Sequence, residues 1–404
     1  VILKSTFPRL SNYFLSWELS DEQAAELAKW DLVVLDMEHQ VKNKEKILKM
    51  RELNPKIIIL AYIAAQEIRS DALALKSYIP LRAELFQGIQ PEWWLKRSDG
   101  QKVSWWPGTE MLNVADVAPK ANGQNWGDYF SNFVTAKVLG SGLWDGIFFD
   151  NTWNSLTAMV GDNLDIDGDG AVETKAEIEA AYRRGMASVF DKIRSAWPQY
   201  LLMGNDGDIF IELNAMQFEN FPYARGWSRM MRDYAAYPTL AAPPAFSAFN
   251  ANTANIGGRD DYQKARYGLT SALLANGFYS FDLGDQNHGQ TWWYDEYNIF
   301  MGEPAGQPFL AKSGGSSAVG SGASNFNQRG LWRRDFKAGL VLVNSGNAAE
   351  TIDLGGEYEK LRGTQDPSVN DGLIVSTVTV QPQDGLILLR PLDELPRAVF
   401  RNGS

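Results

Sequence analysis

A (β/α)8 TIM barrel followed by a small C-terminal antiparallel β-sandwich is the fold this sequence predicts, and three observations predict it. Eight short apolar runs recur with amphipathic helical stretches between them, the alternation expected of βαβ units around a parallel sheet. Several of those runs end in acidic or amide groups, as strands do when their C-termini converge on one face. Beyond a Gly/Ser-rich stretch, the apolar pattern switches to a two-residue alternation. The 404 residues exceed one ordinary core and suit a barrel plus a smaller module. Two domains are expected: a catalytic barrel over 1–310 and a β-sandwich over 325–396.

The runs are Leu10 to Trp17, Leu32 to Asp36, Ile57 to Ile63, Gly146 to Asp150, Tyr200 to Gly204, Ala215 to Glu219, Pro244 to Phe249 and Phe278 to Asp282. Ile57 to Ile63 is apolar on both faces, as a parallel strand covered outside and packed inside must be. Between the runs lie amphipathic stretches. Ser20 to Lys29 opens with Ser20 ahead of Glu22 and Gln23, a helix-start pattern, and Lys175 to Trp197 places apolar residues at helical spacing. Ser313 to Ser324 reads as a surface loop or linker. After it, Gly339 to Asn344, Thr351 to Leu354, Ile374 to Val380 and Gly385 to Leu389 read as short antiparallel strands. No acidic cluster falls there, so catalysis is assigned to the barrel.

Composition narrows the chemistry. The formal charge of -11 repels phosphate backbones and anionic lipid, so nucleic acid is a poor partner, and the lack of long uncharged apolar runs argues against a membrane span. With no cysteine and only His39 and His288, thiolate sites, cysteine nucleophiles and histidine-rich metal centres drop out. Carboxylates are left as acid, base and nucleophile. The absence of cysteine is compatible with an oxidising compartment, and a chain that opens on Val1 suggests a removed leader. An extracellular or periplasmic location is therefore expected. The sequence carries no signal on oligomeric state.

The segment from Leu143 to Trp153 delivers Asp150 to the end of an apolar strand, and Asn214 to Pro222 delivers Glu219 in the same way two strands later. Hydrolysis of a glycosidic bond needs two flanking carboxyls, about 5–5.5 Å apart for retention or about 6.5–9.5 Å for inversion. Asp150 and Glu219 are the expected pair. The competing structural roles are a helix cap for Asp150 and an ion pair with Arg225 for Glu219. Other strand-end groups are Asp36 and Glu38, Gln66 and Glu67, Asn205 and Asp206, and Asp282 with Asp285. Of these Asp36, Glu38, Asp206 and Asp282 are expected to bind sugar hydroxyls, with Asp36, Asp206 and Asp282 as substitutes should either catalytic assignment fail. Tryptophans supply flat surfaces on which the C–H faces of sugars stack. Trp17, Trp93, Trp94, Trp153, Trp292 and Trp293 are the expected platforms, and Trp105 with Trp106 forms a further pair; each is equally explained as core.

Asp165, Asp167 and Asp169 alternate ahead of Gly170, like the start of an EF-hand loop. The twelfth position is Ala176, so Glu173 or Glu177 must substitute. A structural Ca2+ on Asp165, Asp167, Asp169 and Glu173 is expected, against the alternative of a solvated acidic turn. No organic cofactor is expected.

With Lys29 to Asp36 (KWDLVVLD), Asp145 to Asp150 (DGIFFD) and Phe218 to Asn220 (FEN) in view, the chain resembles the bacterial TIM-barrel glycoside hydrolases of the superfamily that includes the endo-α-1,4-polygalactosaminidases and the α-galactosidase clan. In that clan the nucleophile ends strand four and the acid/base ends strand six. The resemblance thus implies Asp150 as nucleophile and Glu219 as acid/base, with Glu on strand six where the clan usually has Asp. Arg333 to Asn344 and Gln383 to Leu389 look like the β-domain that accompanies many α-glycosidase barrels. The expected function is a retaining glycoside hydrolase acting on an oligo- or polysaccharide, with inversion by the same pair as a variant. A non-catalytic carbohydrate-binding barrel is the alternative, distinguished by the lack of a competent acid pair. A Ca2+-dependent lyase or phosphodiesterase is disfavoured, because few cationic or imidazole groups fall near strand ends to stabilise an anion.

Overall fold

The computed structural model describes residues 1–313, 316–317 and 326–391. Its larger sheet has eight strands in chain order: β1 (Ser11–Phe14), β2 (Leu32–Asp36), β3 (Ile58–Ala64), β4 (Gly146–Asp150), β5 (Leu201–Asn205), β6 (Ala215–Phe221), β7 (Phe246–Asn252) and β8 (Phe278–Asp282). The pairings are parallel, for example Asp36↔Tyr62, Ala64↔Asp150, Met203↔Ala215 and Asp282↔Asn252. Leu10, just before β1, makes a parallel bridge to Tyr279 in β8. This is the expected (β/α)8 barrel. The helices between its strands are α1 (Asp21–Leu27), α2 (Lys44–Leu53), α3 (Pro80–Gln87), α4 (Trp126–Phe133), α5 (Lys175–Ala196), α6 (Trp227–Ala236) and α7 (Tyr262–Leu273).

The chain divides into two compact units. The first comprises Val1, Tyr13–Gln217 and Tyr237–Ala245; the second comprises Ile2–Asn12, Phe218–Ala236 and the chain from Phe246 onward. In the first, local signals act as read from the sequence. Ser20 caps α1 in a reciprocal box with Gln23, and Thr174 does the same for α5 with Glu177, each satisfying N–H groups a helix start leaves unpaired. Ile178, Ala181, Tyr182, Met186, Val189, Phe190 and Ile193 form the buried stripe of α5. Inside the strands Tyr13, Tyr62 and Phe148 pack ring to ring, with centroids of Tyr13 and Phe148 5.1 Å apart. The excursion between β3 and β4 carries an unforeseen two-stranded ribbon, Glu67–Arg69 against Thr109–Met111, with Glu67 opposite Met111. Three-residue strands are too short to show alternation in a sequence.

In the second unit, Tyr234, Phe249 and Phe221 stack at 3.9 and 4.0 Å. Here the antiparallel module follows: β9 (Phe309–Ser313), the short strand Ser316–Ser317, β10 (Leu331–Phe336), β11 (Gly339–Asn344), β12 (Glu350–Lys360), β13 (Ile374–Val380) and β14 (Asp384–Leu389). All belong to one sheet that encloses a core of Leu331, Leu340, Leu342, Leu354, Tyr358, Val378, Val380, Leu386 and Leu388. The register of β12 against β13 shifts between Asp353 and Tyr358, and past the shift β12 pairs with β13 on one side (Tyr358↔Val375) and with β14 on the other (Lys360↔Leu388). Helix α7 is tied to this sheet by Arg266, whose guanidinium grips Asp384 with two bonds of 2.8 Å and Asp366 with one of 2.9 Å. Residues 314–315 and 318–324 of the expected linker, and residues 325 and 392–396 at the ends of the expected second domain, lie outside the described residues.

Candidate functional site

Asp150 closes β4, half-buried, and three donors fix its carboxylate. The Tyr62 hydroxyl donates to Oδ2, Asn205 Nδ2 donates to Oδ1 at 2.6 Å, and the Asn151 amide donates to Oδ1 at 2.8 Å. Tyr62 comes from β3 and Asn205 from β5, so the strands on either side of β4 each supply one donor. Burial, then the charge of Asp150, pushes the Tyr62 phenol well above its ordinary pKa, so it remains a proton donor. Thr152 locks Asn205 in turn, donating to its carbonyl at 2.6 Å and accepting from its amide at 2.9 Å. Asp150 caps no helix: the short helix that follows, Leu156–Val160, is capped by Ser155.

Asn151 adopts a left-handed conformation with φ 58° and is clamped at both ends. Gln66 Nε2 donates to its carbonyl, and its own Nδ2 donates to Glu67 at 2.7 Å. Thr109 donates to the other Glu67 oxygen at 2.8 Å. Burial raises the Glu67 carboxyl above its ordinary range, an effect that the Thr109 hydroxyl opposes and the Asp150 charge adds to.

Beside these groups lies a cleft of about 210 Å³, lined by Trp17, Asp36, Tyr62, Glu67, Arg69, Arg82, Trp106 and Thr109 among others. A wider hollow of about 980 Å³ lies against α4 and α5, away from the strand ends. Asp36 is spoken for within the cleft wall, since Arg82 holds it with two bonds of 2.7 and 2.8 Å and Trp17 Nε1 donates to it at 3.2 Å. Burial disfavours the Arg82 charge, but Asp36 more than compensates and raises its pKa. Trp17 itself sits under the Arg69 guanidinium, 5.5 Å from the ring centre.

Several expected sugar contacts have structural duties instead. Glu38 is fully buried and accepts the Leu81 and Arg82 amides at 2.9 and 2.8 Å, so it caps α3. Trp93 and Trp94 are 3% and 9% exposed, too buried for platforms: Trp93 packs on Trp126 and Tyr129, and Trp94 packs on Phe86. Trp153 is buried with its edge against Trp105. Trp105 and Trp106 themselves are exposed. His39 is likewise structural, hydrogen-bonded to the Ser16 carbonyl at 2.8 Å.

In the acidic loop, carboxylate oxygens of Asp165, Asp167 and Glu173 lie within 4.8 Å of one another. Asp169 is outside that group and accepts the Ala171 amide at 2.7 Å. Asp206 follows Asn205 with φ 53°, its amide donating to the Gln217 carbonyl.

Within the second unit, Glu219 lies half-buried near the end of β6. Asn220 follows it with φ 55° and accepts from Asn252 Nδ2 at 2.7 Å. Arg225, the expected structural partner of Glu219, pairs with Asp233 at 3.4 Å. Asp282 is buried at the end of β8, accepting from Asn250 Nδ2 at 2.9 Å and facing His288 Nδ1 at 2.8 Å. Trp292 and Trp293 are half-buried, the first beside Phe281 and the second bonded to Asn298 at 2.9 Å.

Sequence reasoning left Tyr62, Asn205, Arg82 and Glu67 out of the site. Glu67 and Asn205 carried a signal as polar groups at strand ends. Tyr62 is masked inside an apolar run, and Arg82 arrives from a helix whose packing no spacing reveals.

The sequence matches the family model described as hypothetical glycosyl hydrolase family 15 over residues 51–340, more than half of the chain. No curated protein matches it significantly. Among solved structures it is similar to the glycoside hydrolase domain of PelA from Pseudomonas aeruginosa, with 17% identity, 69% of this chain and 95% of that one covered, and a TM-score of 0.45. It is also similar to a single-substitution variant of the GH36 α-galactosidase AgaA from Geobacillus stearothermophilus, with 13% identity, 95% and 56% covered, and a TM-score of 0.46. An Anoxybacillus α-amylase shows 8% identity, 92% and 89% covered, and a TM-score of 0.49. All three scores lie below 0.5, and the assignment of the chain rests on the family model. Among the described residues no helix is long and apolar enough to cross a membrane.

Proposed function

The chain belongs to the hypothetical glycosyl hydrolase family 15, and from that premise we propose a retaining hydrolysis of an oligo- or polysaccharide with Asp150 as nucleophile and Glu219 as acid/base. The observation that carries the reading is the three-donor seat of Asp150 at the end of β4, beside an aromatic-walled cleft. A nucleophile aimed by fixed donors reaches the anomeric carbon without a further ordering cost. In the first step an Asp150 oxygen bonds to the anomeric carbon, the glycosidic C–O bond breaks, and the leaving oxygen takes a proton from Glu219. In the second, Glu219 takes a proton from water, whose oxygen displaces Asp150 and releases the sugar. The half-buried Trp292 and Trp293 remain candidate ring contacts. An extracellular or periplasmic location suits a polymeric substrate.

The acidic loop belongs to the same reading as a structural Ca2+ site on Asp165, Asp167 and Glu173. An all-oxygen carboxylate set fits a hard cation, which supports the assignment. Titrating chelator-treated protein with Ca2+ in a calorimeter is expected to show binding. At a hundredfold excess over Kd, Ca2+ should stabilise the fold by about 2.7 kcal/mol. Absence of heat and of any rise in Tm would remove the site.

The test of the function is release of reducing sugar from α- and β-linked polysaccharides, with product configuration read by NMR. Retained anomeric configuration supports a covalent glycosyl-enzyme. Inverted product replaces the nucleophile role with that of a base. Measurable binding without turnover would instead favour a carbohydrate-binding barrel.

A further inference from the structure

We infer that the ribbon Glu67–Arg69/Thr109–Met111 builds a subsite for one neutral hexopyranose ring beside Asp150, with Trp106 as its stacking platform and Glu67 as its hydroxyl acceptor. The inference rests on the hydrolase reading above and names a part of the site that reading leaves blank.

The cleft's volume of about 210 Å³ is below the roughly 300 Å³ at which pockets for drug-sized ligands begin, and so fits a single ring. Trp106, in the bend just before the strand Thr109–Met111, lines it while 48% exposed. An indole so exposed costs apolar hydration in the free protein and recovers it when a sugar face covers it. Trp17 has one ring face engaged by Arg69, which leaves Trp106 as the platform.

Charge pairing in the wall argues for a neutral sugar. Arg82 is committed to Asp36 by two bonds, and Arg69 to Asp71 by bonds of 2.9 and 2.7 Å. Both guanidinium forks are thus occupied by carboxylates of the chain itself, and a uronate would have to displace one of them. Glu67 accepts from neutral donors, the Thr109 hydroxyl, the Asn151 side-chain amide and the Trp106 backbone. A carboxyl has about four lone-pair directions, so three such bonds leave about one for a sugar hydroxyl. Glu67 is also fixed to the residue that follows Asp150, so a ring held by Glu67 is registered against the nucleophile through a single side chain.

The test measures binding, not turnover, in the inactivated Asp150→Asn protein. Cellotetraose, maltotetraose, xylotetraose, galactotetraose and tetragalacturonate are titrated calorimetrically against Asp150→Asn alone and combined with Trp106→Ala or Glu67→Gln. Thermal melts confirm folding, and exposure of Trp106 makes its removal safe for the core. At least one neutral hexose tetramer is expected to bind, and each added substitution to weaken it about tenfold. Unchanged affinity in both double variants overturns the subsite, as does binding confined to the uronate or to xylotetraose, or binding of no member. Failure of the hydrolase reading is separate: wild-type protein would bind a tetramer and release no sugar from it.

Discussion

One backbone device recurs at single residues on three successive strands. Asn151, Asp206 and Asn220 follow Asp150, Asn205 and Glu219, with φ of 58°, 53° and 55°. Asn and Asp tolerate the left-handed region because their side chains bond locally; Asn151 and Asp206 adopt it just past their strands, and Asn220 adopts it within β6. The sequence displays the acids but not their obligations. Asp36, Glu38 and Asp150 all end apolar runs, yet Asp36 is bound to Arg82 and Glu38 caps α3. Only folding, which brings Arg82 over from α3, separates them. Arg82→Ala strands two buried carboxylates and should cost about 3–5 kcal/mol in urea unfolding; a loss below 1 kcal/mol would show that the pair is solvated. Burial raises the Glu38 pKa against the pull of Arg82. Its contribution to stability is therefore present below the ordinary glutamate pKa of 4.5 and is lost as pH rises through the higher folded value. The Tm difference between wild type and Glu38→Gln should shift against the wild type as pH climbs from about 4 to about 7.

At the scale of elements, periodicity made the long pieces legible. All eight barrel strands follow from short apolar runs, because a barrel strand is buried on both faces, and the stripe of α5 follows from a repeat of 3.6 on its one buried face. The ribbon between β3 and β4 left no such mark, so Glu67 was visible as a polar group at a strand end but its place in the ribbon was not. Tight seams between elements are also silent in a sequence. In α5 a Cβ on Gly185 would fall 1.8 Å from the Val114 carbonyl oxygen, and in β14 one on Gly385 would fall 1.9 Å from Thr270 Oγ1 of α7. Gly185→Ala should destabilise by about 1–3 kcal/mol despite alanine's better helix propensity, since a backbone oxygen cannot swing aside. Gly385→Ala should cost a comparable amount, since its Cβ also meets the Thr270 Cβ at 2.7 Å and the Leu342 carbonyl oxygen at 2.9 Å. Equal Tm for wild type and Gly185→Ala would mean that α5 shifts freely against that backbone.

For the whole molecule, composition set the chemistry before any element was placed. Two histidines and no cysteine leave carboxylates as the expected means of catalysis, and the family model assigns the chain to a glycosyl hydrolase family. The barrel and the antiparallel module were both readable, because a switch from strand-helix alternation to period-two strands survives errors at every boundary. Which tryptophans are core was not readable, since Trp93 and Trp106 both occur as one of an adjacent pair, and only packing buries the first and exposes the second. The central claim is that Asp150 and Glu219 carry the hydrolysis. The measurement that tests it most directly is reducing-sugar release by wild type, Asp150→Asn and Glu219→Gln on the best substrate of the polysaccharide panel, with folding checked by circular dichroism. A loss of at least about 10³-fold in kcat for Asp150→Asn and about 10²-fold for Glu219→Gln is expected in folded protein. Wild-type rates in either folded variant would contradict it.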